Sequence, residues 1–130
     1  MGAFSDTVKN KMLDALVGRA TYTAEAAFYA KLHIGSPGTA GTGNPAGETT
    51  RQACTFGSAP GAGAISNTAQ AQWTNLSTTE TLTHVSFWSA SSGGTFLGAD
   101  DLPASKAVTA GDTFTIPIGD LDLSISGTLP

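Results

Sequence analysis

A mainly β fold, an antiparallel β-sandwich of about seven short strands with one N-terminal amphipathic helix, is what three features of these 130 residues predict. Charged residues make up only 12% of the chain, about half of the usual ~25%, so small and hydroxyl side chains must cover its surface. Sixteen glycines punctuate it. Between them run short segments in which apolar and polar residues alternate, the period of a half-buried strand. A chain of this length fits one compact domain, 1–130, with helix over about 5–17 and sandwich over about 28–127.

The helix comes first. Ser5 is a natural N-cap, Asp6 suits the positive end of the helix dipole, and Val8, Met12, Leu13, Leu16 and Val17 fall on one face before Gly18 stops the run. Such a stripe must be buried either on the domain's own sheet or against a neighbouring subunit. Residues 28–34 read as a strand ending at Gly35. The run GSPGTAGTGNPAG at 35–47 follows, with five glycines, two prolines and no periodicity, a long loop of the kind that is functional or mobile.

Residues 51–56 form the next expected strand, and 57–64 a second Gly/Ala/Pro loop. Over 67–75, Ala69, Ala71 and Trp73 alternate with Gln70, Gln72 and Thr74, a half-buried strand. Over 81–90, Val85 and Phe87 share one face and Leu82, His84 and Trp88 the other. A strand apolar on both sides is central or at an interface. The run SSGG at 91–94 then predicts a hairpin turn into residues 95–98, because glycine accepts the positive φ that a tight turn requires. Phe114, Ile116 and Ile118 alternate with polar residues and Pro117, and Leu121, Leu123 and Ile125 alternate with Asp120, Asp122, Ser124 and Ser126.

Charge and cysteine content exclude several classes. Ten acids against six bases give a net charge of −4, and no basic stripe is present to displace counterions from nucleic acid. Lys9, Lys11 and Arg19 cluster near the start but are interleaved with Asp6 and Asp14. Cys54 is the only cysteine, so no intrachain disulfide forms. The first 18 residues lack the apolar core of a secretory signal, and no apolar run approaches the ~20 residues of a membrane span. Synthesis in the cytosol, without membrane insertion, is the expectation. Asp6 occupies the place where a myristoylation signal needs Ser or Thr.

The search for catalytic chemistry returns little. His33 and His84 have no Gly-x-Ser-x-Gly elbow beside them, and the bland reading of each is a packed, hydrogen-bonded histidine. Cys54 reads as a small buried hydrophobe. One cysteine and two distant histidines show no zinc spacing. Asp100, Asp101, Asp112, Asp120 and Asp122 match no calcium-loop pattern and read as turn formers. No nucleotide-binding glycine motif occurs. No catalytic, metal or cofactor residue is therefore assigned. Trp73 and Trp88 could stack against sugars if exposed, although core packing is the commoner fate of such residues.

The order of segments resembles small virion proteins of tailed bacteriophages, of the minor capsid, decoration or tail-fibre kind. The resemblance rests on LDAL at 13–16, AKLHIGSPG at 30–38, RQACTFG at 51–57, ISNTA at 65–69, THV at 83–85 and VTAGDTFTIP at 108–117. It implies a virion protein without enzymatic activity, present in many copies as a homo-oligomer and contacting the major capsid protein and other virion subunits. The helix, loops and termini would carry those contacts, with Val8, Met12, Leu13, Leu16, Pro37, Asn44, Pro45 and Trp88 as candidate interface residues. A capsid decoration or minor capsid protein is the expected role for so short a chain; a tail-fibre or tail-tip domain binding a receptor or carbohydrate is the alternative.

Overall fold

In the computed structural model, which describes residues 2–130, nine strands and one helix run in the order β1 (Gly2–Phe4), α1 (Asp6–Leu16), β2 (Phe28–His33), β3 (Gln52–Cys54), β4 (Ala64–Ser66), β5 (Ala71–Trp73), β6 (Glu80–Trp88), β7 (Phe96–Val108), β8 (Phe114–Ile116) and β9 (Asp122–Ser124). Seven strands form one sheet in the order β3-β2-β6-β7-β1-β9-β4, and β5 and β8 pair as a separate ribbon. Neighbours are antiparallel except for β1 beside β9. The large sheet curls into a half-barrel. The chain between its end strands ties them together: the Thr68 N–H donates to the Thr55 carbonyl at 2.9 Å and the Gly57 N–H to the Ser66 carbonyl at 3.4 Å, about a bridge from Phe56 to Asn67. Exposed backbone groups at sheet ends would otherwise invite pairing with other chains.

The helix forms where the capping signal lies. Ser5 Oγ accepts the Val8 N–H at 3.3 Å and donates to the Phe96 carbonyl at 3.0 Å, so the same side chain starts α1 and pins it to β7. Gly18, at φ +75°, ends it.

β6 is central, paired with β2 over five residues and with β7 along its length. Strict alternation would place Leu82 opposite Val85 and Phe87. A register irregularity between Leu82 and His84 shifts the phase, and all three are fully buried in the same core cluster. Trp73 fills the core beside the ribbon, stacking on Phe114 at 6.0 Å while its Nε1 donates to the Thr50 carbonyl at 2.8 Å.

Four elements depart from expectation. β4 begins within the stretch read as a loop, and β1 lies ahead of the helix. β7 runs straight through Asp100 and Asp101, which are strand residues rather than turn formers. Asp100 Oδ2 accepts the Asp122 N–H at 2.8 Å, and this partner makes an inward acid tolerable in a strand. The strand expected over 67–75 shortens to β5 because Asn67 is diverted. Its buried side chain donates to the Ala69 and Pro117 carbonyls and accepts from the Gly119 and Leu121 N–H groups, stitching the approach to β5 onto the β8–β9 turn.

Candidate functional surfaces

Two surfaces stand apart from the core. The first is the outer face of α1. Val8 is the helix residue that enters the core, and Met12 is half-buried behind it. The rest of the stripe points outward: Leu13 is 58% exposed, Leu16 80% and Val17 67%, and Ile125, just beyond β9, adds a residue 54% exposed. Lys9, Met12, Leu13, Leu16 and Ile125 line a groove of about 280 Å³. Lys9 Nζ donates to the Gly127 carbonyl at 2.8 Å, drawing its charge toward the backbone at the groove's edge. Leu13, Leu16 and Ile125 thus form one exposed apolar patch along the groove.

The second is the outer face of β2, β6 and β7, opposite the core. Here the long loop 35–47 is ordered and acts as a cover. It returns antiparallel to the end of β2, with the Ala46 N–H on the Leu32 carbonyl at 3.1 Å and the Ile34 N–H on the Asn44 carbonyl at 2.9 Å. Gly41, at φ +74°, lies so close to Phe96 that a Cβ would come within 2.3 Å of its ring, so only glycine fits. Phe96 packs on Trp88 at 5.5 Å between centroids, and the Arg51 guanidinium lies 4.4 Å from the Trp88 ring centroid. Arg51 also donates to the Ala90 and Gly93 carbonyls, closing the β6–β7 hairpin.

Under this cover sits a polar chain. His33 is fully buried; its Nδ1 lies 2.7 Å from the Gly43 carbonyl and its Nε2 2.7 Å from Ser86 Oγ, which accepts the Trp88 Nε1–H at 2.8 Å. Burial lowers the His33 pKa, and repulsion from Lys31 and His84 adds to it, against the pull of the Gly43 and Asn44 carbonyls. A Ser–His pair sealed from solvent offers no approach to a substrate. His84 is half-buried, its Nδ1 2.7 Å from Thr83 Oγ1. Burial pushes the Cys54 thiol up to about 11, which leaves it protonated and unreactive at neutral pH. Among the described residues no three His, Cys, Asp or Glu side chains converge as metal ligands, and no helix is long and apolar enough to cross a membrane.

The candidate interface residues therefore divide. Leu13 and Leu16 are exposed on the helix, and Asn44 and Pro45 are exposed on the loop. Val8 is spent on the chain's own core, and Pro37 and Trp88 are buried beneath or within the cover, so these three present no surface to a partner. Trp73, 1% exposed, and Trp88, 9% exposed, are likewise unavailable as sugar platforms. Ile125, which strand alternation assigns to the same face as Leu123, turns outward beyond the end of β9.

Sequence reasoning missed a pair of carboxylates that joins two loops. Glu80 accepts the Gly47 N–H at 2.9 Å and the Thr78 hydroxyl at 3.1 Å, while Glu48 accepts the Ser77 N–H at 3.1 Å and the Thr50 N–H at 3.2 Å. Burial works to raise Glu48, but the hydrogen bonds from Thr50 and Ser77 outweigh it and hold the carboxyl below its ordinary value. Only the acidic side chains themselves hinted at this clasp, since the two bonds that join the loops run to backbone groups far away in sequence, from Gly47 to Glu80 and from Ser77 to Glu48.

No curated protein matches the chain. A family model described as podophage GP4 fiber I protein gp80 matches residues 3–124, a span that takes in α1 and, apart from Gly2 of β1, every strand of the half-barrel. With that match spanning nearly the whole fold, the chain belongs to the podophage GP4 fibre I protein gp80 family, which makes it a phage fibre protein and a structural component of the virion.

Proposed function

We propose that this fibre protein works without catalysis, as a subunit that attaches to another virion subunit through the outer face of α1. The observation that carries the reading is the groove beside α1 in which Leu13, Leu16 and Ile125 lie together and exposed. Membership of a fibre family supports a place in a fibre over decoration of the capsid, and the burial of both tryptophans removes the sugar-stacking form of receptor binding. The polar chain around His33 is buried beneath the loop 35–47.

The test is incorporation. Leu13→Asp and Leu16→Asp proteins should fold in isolation yet be missing from purified particles. Normal incorporation of both variants would overturn the docking role of the helix; loss of folding would return the stripe to the chain's own core. Electron cryomicroscopy with the chain present and deleted separates the two virion roles: the fibre reading expects lost density at projecting fibres, and density lost across the capsid lattice would reinstate decoration.

A further inference from the structure

The loop 35–47 contains no titratable residue, yet it closes over one. The Gly43 carbonyl can only accept, so the proton of the neutral His33 ring belongs on Nδ1, at 2.7 Å from it. Nε2 is then bare and accepts the Ser86 hydroxyl, whose oxygen receives the Trp88 indole N–H. Every group in this chain is satisfied for one protonation state only. A doubly protonated ring would turn Nε2 into a donor, so the Ser86 oxygen would face N–H groups from both His33 and Trp88, and its own proton would lose its acceptor.

We propose that the loop 35–47 is a pH-operated latch, held down over β2 and β6 while His33 is neutral and lifted when His33 takes a second proton. The charged surroundings favour lifting. Lys31 stands two residues away on the same strand face, His84 lies directly across on β6, and Arg51 lies over Trp88. The acid on the neighbouring strand, Asp101 of β7, is in register with His84 rather than with His33. A positive charge at this buried ring has water as its best partner. The Gly43 end of the loop is what separates it from water, because Gly43 contacts the ring directly. Lifting breaks the Ile34–Asn44 and Ala46–Leu32 backbone bonds and uncovers Phe96 and Trp88, while the core on the other side of the sheet is untouched. The lowered pKa of His33 places the opening below pH 6.5.

The experiment is hydrogen exchange by NMR on the intact protein from about pH 7.5 to about pH 5, corrected for intrinsic exchange, with the His33 ring nitrogens followed in the same samples. Protection at the Ile34, Gly43 and Ala46 amides should fall by roughly tenfold per pH unit as His33 protonates, while the Val85 and Phe87 amides of β6 keep theirs. His33→Asn, whose amide can still donate to Gly43, should remove the pH response. Ser86→Ala, which withdraws the donor that favours the neutral ring, should move the opening to higher pH. The latch is refuted if loop protection stays constant while His33 titrates, if the β6 amides open together with the loop, or if His33→Asn responds to acid as the wild type does. Should His33→Asn fail to fold, the wild-type comparison of loop and core amides decides the question alone.

Discussion

The outer face of β2, β6 and β7 and the outer face of α1 each carry large apolar side chains, and they are treated differently. On the sheet, Trp88 and Phe96 are covered by the chain's own loop and by Arg51. On the helix, Leu13, Leu16 and Val17 are left mostly exposed by the described residues. Both faces would gain from burial at about 25 cal/mol per Å² of apolar surface, but it is on the sheet face that the long glycine-rich loop 35–47 folds back. A surface the protein can cover with its own residues becomes stability; one it leaves uncovered is available to a partner.

The contrast predicts a graded series of effects. Trp88→Ala, which empties the covered face, should cost about 3–5 kcal/mol in urea denaturation of the isolated protein. A near-neutral result would mean that the loop contributes little as a cover. Gly41→Ala drives a methyl group into Phe96 at a left-handed backbone position and should cost about 2 kcal/mol; circular dichroism melts would register it as a lowered Tm.

Protonation sharpens the comparison, because two buried titratable groups oppose each other. Burial above all pushes Asp100 from 3.8 to about 7, against the pull of the Asp122 amide. Between those values the folded chain holds a proton that the unfolded chain has released, so this group's share of stability falls as pH rises through the window. His33 acts in the opposite sense. Its folded pKa is depressed, so its contribution is complete above 6.5 and declines as pH falls toward the folded value. In denaturation series across pH, Asp100→Asn should abolish the fall in stability between about pH 4 and about pH 7 and leave the His33 decline below 6.5 without that opposing contribution.

The smallest effect on the isolated protein belongs to the uncovered face. Leu16→Asp, at a residue 80% exposed, should change stability by less than about 0.5 kcal/mol, even as incorporation into the particle is lost. A cost of several kcal/mol would show that the helix face is buried in solution.

Much of the secondary structure was legible locally. The capped helix ending at Gly18, β2, β6 and the glycine turn into β7 all followed from short-range periodicity and turn chemistry. β1 and β4 lie in stretches with no apolar–polar alternation on either side to extend their three residues, unlike β5, β8 and β9. The surfaces were legible only as a list of residues. Leu13 and Leu16 proved exposed, while Val8, Pro37 and Trp88 from the same list proved buried. Sequence pattern reports which residues share a face of an element and says nothing of what packs on that face.

By itself the sequence determined that this is a β-rich, weakly charged chain with one N-terminal amphipathic helix, because capping, period and turn preference act over a few residues. Tertiary structure alone decided that the long Gly/Pro loop is an ordered cover, that Asp100 enters a strand, that Asn67 ties β5 to the β8–β9 turn, and which half of the helix stripe is left over. Each of those outcomes depends on partners that lie far away in the chain, such as Gly41 with Phe96 or Asp100 with Asp122. Such contacts exist only once the sheet has brought distant segments together, and no local pattern encodes them.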